Sequence, residues 1–406
     1  MTRGRETKPH IGIFGRRNTG KSSFINALVN QQIAIVSDQA GTTTDPVRKS
    51  IEIFGIGPAI VIDTAGIDDV GELGSKRVSK TMEVLRTVDC AVLLIDGNRF
   101  GEEEMKLIRQ FGEWEIPYLI VHNKEDKDAI LPATQEQIKE QSGSGVIRFS
   151  TFHNDNLLEV IEALRAVIPD TAYQQSTLIG DMIHKNDYIV LITPIDEEAP
   201  DGRMILPQVM VIRDVLDHDA INIVLKENQV EQFFRTSGIR PALAITDSQV
   251  FSKVKDMVPE TVPLTSFSIL MARRKGNFTQ YLKGTPYLDQ LKDGDRVLIL
   301  ESCTHQVNCD DIGRYKLPRW IRDYTGKNIE VDVVAGLEPI QGDIRKYSLI
   351  IQCGGCMVTR KQLLNRLKPA IDAGVPVSNY GLAIAYMNGI FHRVTAPFTT
   401  HQGSNG

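Results

Sequence analysis

The sequence predicts a multidomain α/β protein whose sheets are mainly parallel. At 406 residues the chain is too long for a single hydrophobic core. Strand patterns alternate with helix patterns along most of its length, and a phosphate-loop motif opens this alternation. We expect a P-loop domain at 1–172 and two smaller α/β domains at 173–265 and 266–406.

Composition and charge narrow the class of protein. The hydrophobic fraction is 42% and the charged fraction 24%, as in ordinary soluble domains. A net charge of −5 argues against nucleic acid as the main partner. The polar first ten residues and the lack of a long apolar run predict a cytoplasmic protein without a membrane segment. Five cysteines in such a chain should stay reduced.

The phosphate loop has the form G-x-x-x-x-G-K-S and starts at Gly15. It follows an apolar strand-like run at 11–14 and precedes an amphipathic helical pattern, which is the context a phosphate cradle needs. Lys21 is predicted to reach the β- and γ-phosphates, and Ser22 to bind Mg²⁺. The predicted nucleotide-binding residues here are Asn18, Thr19, Gly20, Lys21, Ser22 and Ser23.

Two further motifs follow in the order expected of a nucleotide hydrolase. In Asp63-Thr64-Ala65-Gly66, the carboxylate ends a predicted strand, where it can hold the Mg²⁺ shell, and the Gly66 N–H can meet a γ-phosphate. In Asn123-Lys124-Glu125-Asp126, Asp126 can accept from two guanine donors that adenine lacks. The nucleotide is therefore predicted to be GTP. Ser150, after the next strand, is assigned to the loop that reads the guanine oxygen.

The order of these motifs over residues 8–170 resembles the TrmE-Era-EngA-like GTPases. The resemblance implies that Asn18 helps to coordinate an activating K⁺ and that Thr43 is the Mg²⁺-binding switch residue, with Thr42 and Thr44 as alternatives. Lys21, Thr43, Asp63 and Gly66 are then the predicted catalytic set. Ile67 stands where Ras-type enzymes carry a water-orienting glutamine, so we expect slow hydrolysis that K⁺ stimulates.

The middle segment, 173–265, shows the same alternation of strands and helices without a recognisable chemical motif. It contains no phosphate loop, metal-ligand spacing or paired nucleophile. A domain of this kind most often serves assembly, and we interpret it as a dimerisation or docking module.

The last segment places cysteines after two predicted strands. Cys303 and His305 follow an apolar strand at 296–300, and Cys353 and Cys356 follow a strand at 347–351. Ligands bind at this end of an open α/β sheet. The spacing alone leaves an iron–sulfur cluster and a tetrahedral zinc site open, and a C-x-x-C by itself is also typical of a redox dithiol.

A GTPase joined to C-x-H and a distant C-x-x-C resembles the HydF family of FeFe-hydrogenase maturation GTPases over the whole chain. The family pattern, C-x-H…H-C-x-x-C, binds a 4Fe-4S cluster, which implies Cys303, Cys353 and Cys356 as ligands. His305 is either a fourth ligand or a hydrogen-bonding neighbour of one. Gln352 replaces the second family histidine, so an exchangeable group is expected at the open iron. Cys309 is expected to be a free thiol, and Cys90 a packed core residue.

This resemblance implies a scaffold or carrier that hydrolyses GTP as a switch. It would receive a two-iron unit made with two radical-SAM maturases and pass it to apo FeFe-hydrogenase, as a homodimer joined through the middle domain. Two rival interpretations are a TrmE/Era-like GTPase of RNA modification or ribosome assembly and a GTP-regulated zinc or thiol-redox protein.

Overall fold

The structure is a computed structural model that describes residues 8–29, 37–39, 46–68, 72–153, 156–169, 172, 177–194, 204–302, 312–336, 338, 340–356 and 358–399. The chain divides into two compact units, Met1–Gln175 and Ser176–Gly406. The predicted α/β class with mainly parallel sheets is confirmed in both.

The first unit is built on a seven-stranded sheet in the order β2-β3-β4-β1-β5-β6-β7. β2 and β3 join it antiparallel, and the remaining pairs are parallel. Its strands are β1 His10–Gly15, β2 Ser37–Gln39, β3 Val47–Ile53, β4 Gly57–Asp63, β5 Cys90–Ile95, β6 Tyr118–His122 and β7 Val146–Arg148. Its helices are α1 Lys21–Val29, α2 Glu72–Leu85, α3 Glu102–Glu113, α4 Pro132–Ser142 and α5 Leu157–Val167.

Apolar residues cover both faces of this sheet because its parallel strands run between two layers of helices. On β5, Cys90, Val92 and Leu94 belong to one core cluster, whereas Ala91, Leu93 and Ile95 belong to another. Cys90 is fully buried, and burial raises the pKa of its thiol. It is thus a packed core residue, as expected.

The second unit contains two four-stranded sheets, ordered β11-β10-β8-β9 and β13-β12-β14-β15, in which every pair is parallel. The strands are β8 Tyr188–Ile192, β9 Ile221–Leu225, β10 Leu243–Thr246, β11 Leu264–Ser266, β12 Arg296–Leu300, β13 Glu330–Val334, β14 Leu349–Gln352 and β15 Val377–Asn379. The helices are α6 Leu206–Asp217, α7 Val230–Thr236, α8 Phe251–Val254, α9 Phe267–Lys275, α10 Phe278–Gly284, α11 Leu317–Thr325, α12 Arg360–Asp372, α13 Tyr380–Met387 and α14 Phe391–Thr399.

One continuous apolar core serves both sheets of this unit. The predicted boundary between residues 265 and 266 falls inside that core, within β11. The division of residues 173–406 into two domains therefore stays a prediction. The mixed polar sequence at 173–186 predicts a linker, but part of it is packed, because Leu178, Ile179 and Ile183 are buried in the same core.

The sequence patterns at 277–291 and 248–257 each predict one helix, and the structure contains a shorter helix in both places. The helix predicted at 277–291 ends at Gly284, and a 3₁₀ turn, Thr285–Gln290, follows it. Pro286 has no backbone N–H, so it cannot donate the hydrogen bond that would continue the helix. The helix predicted at 248–257 is a 3₁₀ turn and the four-residue α8. Among the described residues, no helix has the length and apolarity needed to span a membrane.

We predict that Gly284→Ala destabilises the second unit. A Cβ at this position would lie 2.1 Å from the Val377 carbonyl oxygen and 2.7 Å from its nitrogen, and backbone atoms of β15 cannot move aside cheaply. We expect a loss of about 1–3 kcal/mol in the free energy of unfolding, as for an overpacked core. Denaturant unfolding of the full chain measures it. The neighbouring exposed Lys283→Ala is the control, and equal stability of the two variants would contradict the prediction.

Candidate functional site

The phosphate loop connects β1 to α1 in the first unit, with Lys21 as the first residue of the helix. The Lys21 side chain is 9% exposed and turns back over the loop. Its Nζ donates to the carbonyl oxygens of Gly15 at 3.1 Å and Arg16 at 2.7 Å. The ammonium thus lies inside the cradle whose N–H groups face an anion at a helix N-terminus. Ser23 is exposed on the first turn of α1.

Ser22 and Asp63, the two predicted Mg²⁺ partners from separate motifs, are in direct contact. Ser22 Oγ donates to Asp63 Oδ2 at 2.6 Å. A hydroxyl and a carboxylate are oxygen ligands of the kind that Mg²⁺ prefers. Thr43, the predicted third partner, lies outside the described residues.

The D-x-x-G turn packs closely against the phosphate loop. Ile67 N donates to Gly15 O at 3.2 Å, and Arg17 N donates to Asp68 Oδ1 at 2.6 Å. A Cβ at Gly66 would lie 2.4 Å from Arg17 Cγ. Ile67 is buried, and its hydrocarbon side chain has no polar group that could orient an attacking water.

The N-K-x-D motif follows β6 and donates hydrogen bonds to the phosphate loop. Asn123 Nδ2 donates to Thr19 O at 2.8 Å and lies against Gly20. Lys124 Nζ donates to the Asn18 carbonyl oxygen and, at 2.7 Å, to Asp96 Oδ2. The predicted base-binding and phosphate-binding residues are therefore joined by hydrogen bonds.

Asp126 and Ser150 form the predicted base-reading end of the site. Ser150 Oγ donates to Asp126 Oδ1 at 2.6 Å, and this hydrogen bond lowers the pKa of the carboxyl group. Ser150 is buried, whereas Asp126 faces solvent. An ionised carboxylate is suited to accept from a ring N–H and an amine.

Sequence reasoning missed Glu104 and Asp96, whose carboxylates bind residues of this site. Arg16 forms a bidentate ion pair with the buried Glu104 of α3, at 2.7 and 2.9 Å, which raises the pKa of the guanidinium. Asp96 directly follows β5. Burial raises the pKa of its carboxyl group, but hydrogen bonds from Lys124 and Arg99 outweigh burial and lower this pKa. The position of Asp96 at a strand's carboxyl end was the signal that could have identified it.

The described part of the cysteine site lies where β12 and β14 end side by side. These strands are parallel neighbours with Leu300 opposite Gln352. Cys353 N donates to Leu300 O at 3.0 Å, and Ser302 N donates to Cys353 Sγ at 3.0 Å. Residue 302 and the first thiol of the C-x-x-C are thereby brought together. Cys303, His305 and Cys309 lie outside the described residues.

Gln352 links the two strand ends with its side chain. Its Nε2 donates to Leu300 O at 3.2 Å and to Ser302 Oγ at 2.8 Å. The side chain is fully buried, and its Oε1 has no hydrogen-bond partner among the described residues. Because a carbonyl oxygen only accepts, the contact with Leu300 fixes the amide orientation.

The C-x-x-C loop itself is tightly enclosed. Gly355 has a φ of 64°, and a Cβ there would lie 2.3 Å from Leu363 Cδ1, so glycine is required. Burial raises the pKa of the Cys353 thiol, although hydrogen bonds from Ser302 and from the Gly355 backbone oppose this. Metal binding would therefore displace a proton from this sulfur.

Two thiols three residues apart, N–H groups aimed at sulfur and a glycine in the loop fit a thiolate-bound metal or cluster. No group of three or more metal-binding side chains occurs within the ranges that the structure describes. The described residues thus supply two of the predicted ligands, and they do not distinguish iron–sulfur from zinc.

Comparison with protein families gives three successive matches along the chain. Residues 10–124 match the 50S ribosome-binding GTPase model, 178–276 the hydrogen maturase F dimerization domain, and 279–397 the hydrogen maturase F tetramerization domain. The two hydrogen maturase F models together cover more than half of the chain.

Characterised relatives resemble only part of the chain. The tRNA modification GTPase MnmE of Nitrosomonas europaea is 36% identical over 174 residues, which are 42% of this chain and 36% of that protein. GTPase Der of Campylobacter hominis is 30% identical over 220 residues, 53% of this chain and 47% of that protein.

Among solved structures, Era of Aquifex aeolicus aligns with 57% of this chain and 99% of its own, at 18% identity and a TM-score of 0.35. The family-model matches show that the chain contains a GTPase domain and belongs to the hydrogen maturase F (HydF) family.

Proposed function

We propose that this chain is a GTP-hydrolysing scaffold that holds a 4Fe-4S cluster and assembles or delivers the two-iron subcluster of FeFe-hydrogenase. The observation that carries the proposal is the Ser302 N to Cys353 Sγ contact of 3.0 Å. It brings together the two strand ends after which all the predicted cluster ligands follow in sequence. Membership of the HydF family supports the same proposal.

The cluster ligands in this proposal are Cys303, Cys353 and Cys356, with His305 as a fourth ligand or a hydrogen-bonding neighbour. Gln352 is not proposed as a ligand, because a neutral amide is a poor iron ligand beside thiolates. When bound, a cluster with three protein sulfurs supplies one iron with an open position for the two-iron precursor. The proposed partners are two radical-SAM maturases and apo FeFe-hydrogenase.

GTP binding in this proposal uses the contacts already described. Lys21 neutralises the phosphates, Ser22 and Asp63 hold Mg²⁺ with Thr43, and Asp126 selects guanine. The D-x-x-G turn contacts the phosphate loop through Ile67 N and Gly15 O. A γ-phosphate would compete with Gly15 O for the Ile67 N–H and move the turn, so hydrolysis can serve as a switch for partner exchange.

A GTPase of RNA modification or ribosome assembly remains the second candidate, since MnmE shares the GTPase region. The net charge of −5 and the enclosed C-x-x-C loop favour the scaffold. A GTP-regulated zinc or thiol-redox protein would use the same thiols, and the metal content separates it from the scaffold.

Anaerobic reconstitution tests the cluster. We expect the full chain to take up about four irons and to give a reduced 4Fe-4S signal in electron paramagnetic resonance. Cys303→Ala, Cys353→Ala and Cys356→Ala should each abolish the signal, because each removes a thiolate ligand. Cys309→Ala and Cys90→Ala are the matched controls and should keep it. A wild-type chain that holds zinc, or a signal that Cys309→Ala removes, would refute the assignment.

Potassium should stimulate GTP hydrolysis through Asn18. Asn18 has a φ of 61°, which glycine adopts freely, so Asn18→Gly removes little besides the side chain. We expect the K⁺-stimulated rate of this variant to be lower than that of the wild type by a factor of about ten or more. A loss of about 1.4 kcal/mol in transition-state stabilisation lowers a rate tenfold. Phosphate release in KCl and NaCl of equal ionic strength measures it.

The exposed Asn26 on α1 offers a matched control. Asn26→Ala should behave as wild type. Equal wild-type rates in the two salts would exclude K⁺ activation.

The homodimer is proposed to form through β9, which is an edge strand of its sheet in the described part of the chain. Ile221 N donates to Asp187 O and Leu225 O accepts from Thr193 N, so residues 221, 223 and 225 bond to β8. The backbone N–H of Val224 therefore faces outward. Ile221 and Val224 are 40% and 46% exposed, an apolar edge of the kind that pairs with another strand.

Val224→Pro removes the outward N–H while leaving the bonds to β8 intact. We expect it to halve the mass of the oligomer in light scattering, whereas Val224→Thr, which keeps the donor, should not. An unchanged mass for a folded Val224→Pro variant would move the dimer interface elsewhere.

A further inference from the structure

A buried lysine lies against the C-x-x-C loop. Lys275 is the last residue of α9 and is only 4% exposed. Its Nζ donates to Gly355 O at 3.0 Å, Cys356 O at 3.2 Å and Val358 O at 2.8 Å. Three carbonyl groups of one short loop thus converge on a single nitrogen.

This geometry identifies the Lys275 side chain as a cation. An ammonium group has three N–H donors and no acceptor, so three carbonyl oxygens match it. A neutral amine would direct its lone pair at one of these oxygens. Burying a positive charge is costly unless it is hydrogen-bonded and near negative charge, and metal-bound thiolates of Cys353 and Cys356 would supply that charge.

The loop is held from two directions. Leu363 of α12 packs against Gly355, and Lys275 of α9 donates hydrogen bonds to the carbonyl groups of the loop. Such enclosure fixes the backbone that carries both thiols before a metal binds. Cys353 Sγ also accepts from Ser302 N, so the first sulfur is already oriented.

Lys275 also joins two regions that match different family models. It lies within 178–276, matched by the dimerization model, whereas the loop lies within 279–397, matched by the tetramerization model. Nothing in the run Arg273-Arg274-Lys275 distinguishes the third residue from a surface charge. Only the structure singles it out.

We propose that Lys275 is a positioning residue of the cluster site, whose ammonium fixes the C-x-x-C backbone and places positive charge beside the thiolates. This inference rests on the proposed function. A nearby cation stabilises the more negative, reduced state of a thiolate-bound cluster, and removal of the cation disfavours reduction.

The test uses the full chain with Lys275→Met, Lys275→Arg and, as a matched control, Lys283→Met at an exposed position of α10. After anaerobic reconstitution, the midpoint potential is measured by a redox titration followed by electron paramagnetic resonance, and iron retention by competition with a chelator. We expect Lys275→Met to shift the potential to more negative values and to weaken iron retention by about 10- to 100-fold. Lys283→Met should match the wild type.

Lys275→Arg separates charge from geometry. Arginine keeps the charge but not the three-fold donor arrangement, so we expect a potential closer to wild type together with weaker iron retention. It also provides the second variant if Lys275→Met fails to fold. A purely structural lysine would lower the melting temperature of the metal-free chain and leave the potential of the reconstituted chain unchanged.

A folded Lys275→Met variant with wild-type potential and iron retention would overturn the inference while leaving the cluster intact. If the wild type takes up no cluster, the proposed function fails, and Co²⁺ binding alone then tests Lys275 through its thiolate absorption bands. Wild-type Co²⁺ affinity in a folded Lys275→Met variant, or a wild type that binds neither metal, overturns the inference as well.

Discussion

The pairing of parallel strands at their carboxyl ends is the constraint on which both candidate sites depend. In the second unit, β12 and β14 are hydrogen-bonded in a register that sets Leu300 opposite Gln352, and the residues that follow emerge at one edge. In the first unit, β1 lies between β4 and β5, so the phosphate loop, Asp63 and Asp96 emerge together. The same sheet geometry thus assembles an anion site and a thiol site from residues far apart in sequence.

Hydrogen bonds from polar side chains then stabilise the loops at these sheet edges. Lys124 joins the base-reading motif to Asn18, Asn123 supports Thr19, and Gln352 joins Leu300 to Ser302. Each of these contacts connects two loops or two strand ends. Because buried polar groups are costly when unpaired, removal of one partner would destabilise the position of the other.

Much of this arrangement could be predicted from the sequence, because the motifs are local and their spacing is fixed by one loop or one strand. The P-loop, the D-x-x-G turn and the strands that deliver the cysteines were found in this way. Glu104 and Lys275 were not, since their partners are 88 and 80 residues away and their neighbours read as ordinary surface charges. The helix predicted at 277–291 failed where Pro286 and the packing of Gly284 on β15 end it.

The central claim is that the loop of Cys353 and Cys356 binds iron, and anomalous diffraction from anaerobically grown crystals tests it most directly. The account predicts a strong anomalous peak at the iron edge within bonding distance of both sulfurs and next to the end of β12. A peak that appears only at the zinc edge, or iron bound elsewhere in the chain, would contradict it.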